Sequence, residues 1–164
     1  MKKVSSVTEY AISAFRFYAE IGKLSPDELK ERILNSSYIR RPEKEITRST
    51  NISKPTEAAF IRAEKLLDSL EAELLDIIAV HKTLQRLKYE NLQDAITALE
   101  IVYFSNPKEN LGRGDISARV ISASIKIPAS DRQVYRWLKK ARTYFAEERG
   151  LSVNYTAIKK LMFL

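Results

Sequence analysis

Four side chains that could hydrogen-bond to the edges of base pairs are predicted to share the first two turns of one helix. They are Asp131, Arg132, Gln133 and Arg136. An arginine can donate two hydrogen bonds to guanine. A glutamine amide can donate one hydrogen bond to adenine and accept another from it, and a carboxylate can accept a hydrogen bond from cytosine. These residue types at this spacing indicate a helix that reads bases in the major groove of DNA.

The helix that carries these side chains has signals at both ends. Ser130 and Gln133 have the spacing of a capping box with Ser130 as the N-cap. Gly150 stands where a glycine commonly ends a helix. One apolar face is predicted from helical spacing: Val134, Leu138, Ala141 and Phe145. At about 100° per residue, the opposite face is polar: Arg132, Arg136, Lys139 and Thr143.

A shorter helix is predicted to precede it, from Asp115 as N-cap to about Ile125. Its apolar residues lie on two sides, which indicates packing between neighbours, as in the first helix of a helix-turn-helix. From Arg113 to Arg149 there are nine Lys or Arg residues against four Asp or Glu residues. Contacts to DNA phosphates are predicted for Arg113, Arg119, Lys126, Lys139, Lys140 and Arg142. The alternative is an ordinary helical hairpin whose basic face is only solvated.

The composition of the whole chain favours a basic, helical protein. The 164 residues carry a net charge of +7, are 45% hydrophobic, and include only four glycines and five prolines. We therefore expect an all-α fold with a polyanionic partner, nucleic acid before membrane. No apolar run approaches the length of a membrane span, so we expect no membrane partner and a cytoplasmic location.

The sequence offers no constellation typical of an enzyme. Cysteine is absent and there is one histidine, so neither a thiolate nor a histidine-based metal site is expected. His81 falls within an apolar heptad stripe and is predicted to be a core or seam residue. Paired carboxylates, a nucleophile with a base, and a phosphate-binding loop are also missing. We expect no catalysis and no cofactor.

Local patterns divide the chain into five segments. They are an N-terminal helical hairpin (1–35), a basic linker (36–53), a long heptad-patterned helix (54–90), a helix-turn-helix unit (91–151) and an apolar tail (152–164). The long helix, spanning 54–87, carries about four heptads. It could pair with a second copy in a homo-oligomer, or it could be the spine against which other helices pack.

Helix bounds and inward-facing residues are also predicted for the hairpin and for the start of the fourth segment. The first helix, over 5–21, is expected to face inward with Tyr10, Ala14, Phe17 and Ile21. The second helix begins at Ser25 and ends near Leu34, with Leu29 and Ile33 inward. A further amphipathic helix over 91–104 directs inward the residues Leu92, Ala95, Ile96, Leu99 and Tyr103.

Three pieces of the sequence resemble a known family when taken in order. ISKPTEAAFIRAEKLL (52–67) opens a long helix, IVYF (101–104) ends the next, and ISASIKIPASDRQVYRWLKKAR (121–142) follows. The match is carried by Ser-Lys-Pro-Thr-Glu at 53–57 and by Ser130 with Val-Tyr-Arg-Trp at 134–137. The chain resembles, over about 50–151, the RinA/ArpU group of bacteriophage transcriptional activators. It departs from the group in a turn at 127–129 that is about two residues longer and in Ser122, where alanine is usual.

The resemblance implies a C-terminal region similar to the part of sigma factors that reads the −35 promoter element. It further implies an activator of phage or prophage late genes, such as packaging and lysis genes, that binds double-stranded promoter DNA and could contact RNA polymerase. Two alternatives remain open: a small terminase subunit for DNA packaging, and a helical interaction module that does not bind DNA.

Overall fold

The computed structural model describes residues 6–39, 54–151 and Met162, and these are all-α with no β-strand. The helices are α1 (Ser6–Glu20), α2 (Pro26–Ile39), α3 (Lys54–Ser69), α4 (Glu71–Tyr89), α5 (Gln93–Leu99), a π-helix that continues α5 (Glu100–Phe104), α6 (Arg113–Lys126) and α7 (Asp131–Arg149). The predicted all-α fold class is confirmed. Among the described helices, none combines the length and the apolar character needed to cross a bilayer.

Two of the predicted segments fall largely outside the described residues. The basic linker was predicted over 36–53, but 36–39 continue α2 and the remainder is not described. The apolar tail over 152–164 is likewise not described, apart from Met162.

The chain separates into two compact units, with one boundary between α1 and α2 and the other within α4. The first unit comprises Met1–Lys23 and Ala79–Leu164, and the second comprises Leu24–Ile78. The predicted N-terminal hairpin over 1–35 is divided between the two units: α1 packs on the π-helix and α7, and α2 packs on α3.

The second unit begins with a complete capping box on α2. The backbone N–H of Glu28 donates to the Ser25 hydroxyl at 3.2 Å, and the backbone N–H of Ser25 donates to the Glu28 carboxylate at 3.0 Å. Two N–H groups that have no partner within the helix are thereby satisfied. Ile33 is buried as predicted, while Leu29 is only half-buried.

The predicted long helix over 54–87 is two helices, α3 and α4, separated at Leu70. The N–H of Leu70 is shared between the carbonyls of Leu66 (3.1 Å) and Leu67 (3.2 Å), as is common at helix ends. The Ser69 hydroxyl donates to the Leu66 carbonyl at 2.7 Å and so competes with the backbone for the same acceptor. The four predicted heptads therefore do not form one continuous seam, and Phe60 within them is 56% exposed.

The core of the first unit is a cluster of aromatic rings around Phe15, whose side chain has no solvent exposure. The Phe15 ring centroid lies 5.8 Å from that of Tyr103, 6.2 Å from that of Phe104 and 5.6 Å from that of Phe145. Offset and tilted pairs at these separations are the arrangements that aromatic rings favour. The cluster joins α1, the π-helix and α7.

The buried stripe of α1 differs from the predicted one. The buried residues are Ala11, Ala14, Phe15 and Tyr18. Of the predicted stripe only Ala14 is buried, Phe17 and Ile21 are half-buried, and Tyr10 is 37% exposed. Both stripes have helical spacing, and the aromatic partners on other helices decide between them. Gly22, with φ at 86°, follows the helix in the left-handed conformation that glycine favours.

The π-helix allows three successive residues to be buried: Val102, Tyr103 and Phe104. In an α-helix, three successive side chains spread over about 200° and seldom face one core. Hydrogen bonds from i to i+5 reduce the rotation per residue, so the three side chains point in more similar directions. Ala95, Leu99 and Tyr103 are buried as predicted, while Leu92 and Ile96 are half-buried.

Candidate nucleic-acid interface

Helix α7 is held by the residues that the sequence indicated. The backbone N–H of Gln133 donates to the Ser130 hydroxyl at 3.1 Å, and Gly150 ends the helix with φ at 75°. The predicted apolar face has no solvent exposure at any of its four members: Val134, Leu138, Ala141 and Phe145. This face packs against α1, α5 and α6, so the orientation of the opposite face is fixed.

The opposite face of α7 presents Arg132, Arg136 and Lys139 to solvent. In the part of the chain that the structure describes, no hydrogen bond or ion pair is recorded for these three side chains. At helical spacing they form a line along the first half of the helix. We call these three residues the α7 stripe.

The other two predicted base contacts lie beside the α7 stripe. Asp131 is exposed at the first position of the helix, where its charge is favourable to the helix dipole. Gln133 is half-buried, and its backbone takes part in the cap. All four predicted base contacts are thus brought to one end of α7. Their contact with DNA stays a prediction.

Helix α6 begins at Arg113, and its N-cap is Gly112, three residues before the predicted N-cap. Asp115 is not the N-cap but a residue of the first turn, whose carboxylate accepts from the N–H of Gly112 at 2.9 Å. Only one side of α6 is buried, through Val120 and Ala123. The predicted burial on two sides is wrong, because Ile121 is 52% and Ile125 is 74% exposed.

Arg119 was predicted to contact phosphate, but its guanidinium is used inside the fold. It donates to the carbonyl of Val102 at 3.0 Å and to that of Ser105 at 2.6 Å, and it lies 3.7 Å from the Glu109 carboxylate. Carbonyls at the end of a helix have no partner within it, and a cation there is favoured by the helix dipole. We therefore assign Arg119 to capping the π-helix rather than to DNA.

Arg16 of α1 also donates to carbonyls at and after the end of the π-helix, a role that the sequence pattern does not reveal. It donates to the carbonyls of Tyr103 (3.3 Å) and Asn106 (3.0 Å), and also to that of Glu109. Burial, followed by the nearby Arg119 guanidinium, lowers the pKa of Arg16. Two arginines thus hold the segment between the π-helix and α6.

Two further predicted phosphate contacts also have partners within the fold. Arg142 donates to the Tyr103 hydroxyl at 2.7 Å. Burial raises the pKa of Tyr103, with Arg142 opposing the shift, so this phenol stays neutral. Lys140 lies 3.4 Å from the Glu90 carboxylate. Both cations lie further along α7 than the α7 stripe does.

The second half of α7 is joined to the end of α4 by an ionic cluster that the sequence pattern does not reveal. Arg86 donates to Glu147 at 2.8 Å, lies 3.4 Å from Glu148, and stacks on the Tyr144 ring with its guanidinium carbon 3.7 Å from the centroid. The Tyr144 hydroxyl donates to the Glu90 carboxylate at 2.7 Å. The i, i+4 pairs Arg86/Glu90 and Lys140/Tyr144 were visible signals, but their meeting across helices was not.

The ionic cluster predicts a pH-dependent stability. The hydrogen bond from Tyr144, followed by Lys140, lowers the pKa of Glu90. A carboxyl whose folded pKa is depressed stabilises the fold above its unfolded pKa, and this contribution is lost as pH falls through the folded value. Glu90→Gln should therefore melt below the wild type at neutral pH, and the difference should shrink as the pH falls through the carboxyl range.

Thermal melting at several pH values measures this difference. Glu100→Gln, which removes the same charge from an exposed side chain of the first unit, is the matched control and should show a smaller difference at neutral pH. An equal effect of the two variants at every pH would contradict the role given to Glu90.

The predicted phosphate contacts that remain available are Arg113, Lys126 and Lys139. All three are exposed, and within the described ranges they have no recorded partner. Together with Arg132 and Arg136 they form the free cation set of the α6–α7 region. His81 lies 3.4 Å from the Gln85 amide, half-buried, and the described residues contain no cluster of three or more side chains able to hold a metal ion.

Comparison of the chain with models of protein families, with curated proteins and with solved structures gives no match in any of the three. The resemblance to the RinA/ArpU group therefore stays a prediction.

Proposed function

We propose that the first unit binds double-stranded DNA as a helix-turn-helix, with the first half of α7 in the major groove. The observation that carries the proposal is the α7 stripe: three cations in a line, exposed and without recorded partners in the described residues. A helix fits the width of the major groove, and exposed arginines are the side chains that most often contact bases there.

The division of the cations along α7 supports this docking. Arg142 donates to the Tyr103 hydroxyl and Lys140 pairs with Glu90. These two cations of α7 therefore contact other parts of the first unit. The first half carries Arg132, Arg136 and Lys139, to whose side chains the described residues supply no hydrogen bond or ion pair. DNA phosphates and base edges would supply the missing acceptors, with release of counterions as a driving force.

Helix α6 is the brace of the proposed reader. It packs on α7 through Val120 and Ala123. Arg113 at its start and Lys126 at its end are exposed and belong to the free cation set. Phosphate contacts from a bracing helix fix the register of the reading helix on the duplex, although they carry no sequence information themselves.

The resemblance narrows the proposal from DNA binding to transcription. We propose a regulator, an activator of phage or prophage late genes, with RNA polymerase as a further partner. The residues that carry this narrower proposal are Ser130 and the string at 134–137. Ser130 caps α7 and Val134 opens its buried face, whereas Arg136 belongs to the exposed α7 stripe.

Binding to DNA is tested by fluorescence anisotropy with a short labelled duplex of mixed sequence at several salt concentrations. The wild type should lose affinity steeply as salt rises. Arg132→Ala/Arg136→Ala should bind more weakly at every salt concentration, because each lost contact to a base edge costs about 1–3 kcal/mol.

The matched control is Lys30→Ala/Arg32→Ala, which removes two exposed cations from α2 in the second unit and should keep the wild-type affinity. Equal losses of DNA affinity in the two double variants would mean that the effect depends only on net charge, which would contradict the proposed interface. No salt-dependent binding by a folded wild type would overturn the proposal and favour the interaction-module alternative.

A further inference from the structure

The two arginines of the α7 stripe have a spacing that is itself informative. Arg132 and Arg136 are four residues apart, so their Cα atoms differ by about 6 Å along the helix and about 40° around it. Both are exposed, and within the described part of the chain neither has a recorded partner. They therefore place two exposed guanidinium groups one helical turn apart on one face.

A guanidinium has a fixed fork of donors that matches the O6 and N7 atoms of guanine. Stacked base pairs rise by about 3.4 Å. A separation of about 6 Å along a helix that follows the groove thus corresponds to roughly two base-pair steps. The two side chains would meet guanines at nearby but not adjacent positions.

Arg132 and Arg136 are the two side chains of the α7 stripe that carry a fork of donors. Lys139 follows Arg136 on the same face but offers a point charge rather than a fork, which suits a phosphate. The next cations along the helix, Lys140 and Arg142, are engaged with Glu90 and Tyr103. Gln133 is half-buried at the edge of the face.

We infer that Arg132 and Arg136 give this protein a preference for duplex sites with two guanines about two base pairs apart. The inference rests on the proposed function and names the sequence class that the same site would select. Each good bidentate contact discriminates against a wrong base by about 5- to 150-fold, so the preference should dominate the selected sites.

The experiment is selection from a pool of randomised duplexes, followed by sequencing, with the wild-type protein and the variants Arg132→Lys and Arg136→Lys. Lysine keeps the charge, and with it the salt-dependent attraction, but it lacks the planar fork. The wild type should enrich the spaced guanine pair. Each lysine variant should lose the preference at one of the two positions. Its affinity for the unselected pool of duplexes should stay within a few-fold of the wild-type value.

The outcomes separate this inference from the function on which it rests. The inference alone is overturned if the wild type retains DNA but the selected sequences contain no spaced guanine pair. It is also overturned if the wild type and both lysine variants select the same site. No retention of DNA by the folded wild type overturns the proposed function and the inference with it. Loss of one guanine position per variant supports both.

Discussion

Phe15→Ala is expected to lower the free energy of unfolding of the first unit by about 3–5 kcal/mol. The Phe15 ring has no solvent exposure and touches the rings of Tyr103, Phe104 and Phe145. Truncation removes the transfer free energy of the ring and leaves a cavity among three large side chains that cannot all collapse into it. The chain has a single tryptophan, Trp137 on α7, so its fluorescence during chemical denaturation reports on this unit.

Tyr89→Ala is the control for this substitution. Tyr89 is an aromatic residue of the same unit, at the end of α4, and is 90% exposed. Its removal should change the free energy of unfolding by no more than about 0.5 kcal/mol. Similar losses for Phe15→Ala and Tyr89→Ala would mean that α1 does not pack into the first unit as described.

Arg119→Met is expected to cost about 2–3 kcal/mol of the same free energy of unfolding. The substitution preserves most of the side-chain volume but leaves the carbonyls of Val102 and Ser105 without their charged donor. The Arg119 side chain is only 15% exposed, so water replaces this donor poorly. Denaturation followed through Trp137 gives the measurement.

Arg113→Met is a matched control, because Arg113 is an exposed arginine on the same helix. Its stability should stay close to that of the wild type. In DNA binding the order should reverse: Arg113→Met weakens affinity, whereas Arg119→Met keeps it at a temperature where the protein is folded. A stable Arg119→Met protein that binds DNA poorly would return Arg119 to the phosphate contacts.

Features that depend on neighbours along the chain could be predicted from the sequence. The cap of α2 at Ser25, the cap of α7 at Ser130 and the end of α7 at Gly150 are all confirmed. The buried face of α7 is confirmed too, because its apolar and charged residues separate cleanly at helical spacing. These features rest on interactions within one helix, which a local pattern contains in full.

Features that depend on distant partners could not be predicted. Tyr10 and Phe15 offer two plausible apolar stripes on α1, and the rings of Tyr103 and Phe104 on the π-helix favour the stripe that contains Phe15. The interruption between α3 and α4 at Leu70 is not marked by a glycine or proline in the sequence. An apolar heptad pattern continues through it, so the pattern alone predicts one helix.

The candidate site shows the same division. Helical spacing placed Arg132, Arg136 and Lys139 on one exposed face. It could not distinguish these from Arg119 and Arg142, whose acceptors lie on other elements at Ser105 and Tyr103. A basic composition thus combines two populations of cations, and long-range hydrogen bonds decide which of them remain available to a ligand.

The interrupted order of the first unit along the chain has a consequence for its biogenesis. Phe15 must meet Phe145, and the whole second unit, Leu24–Ile78, is translated between them. At about 5–20 residues per second, α1 leaves the ribosome on the order of ten seconds before its partner helix. During that interval the aromatic side chains of α1 lack the partners that cover them in the folded unit, because Tyr103, Phe104 and Phe145 are all translated after the second unit.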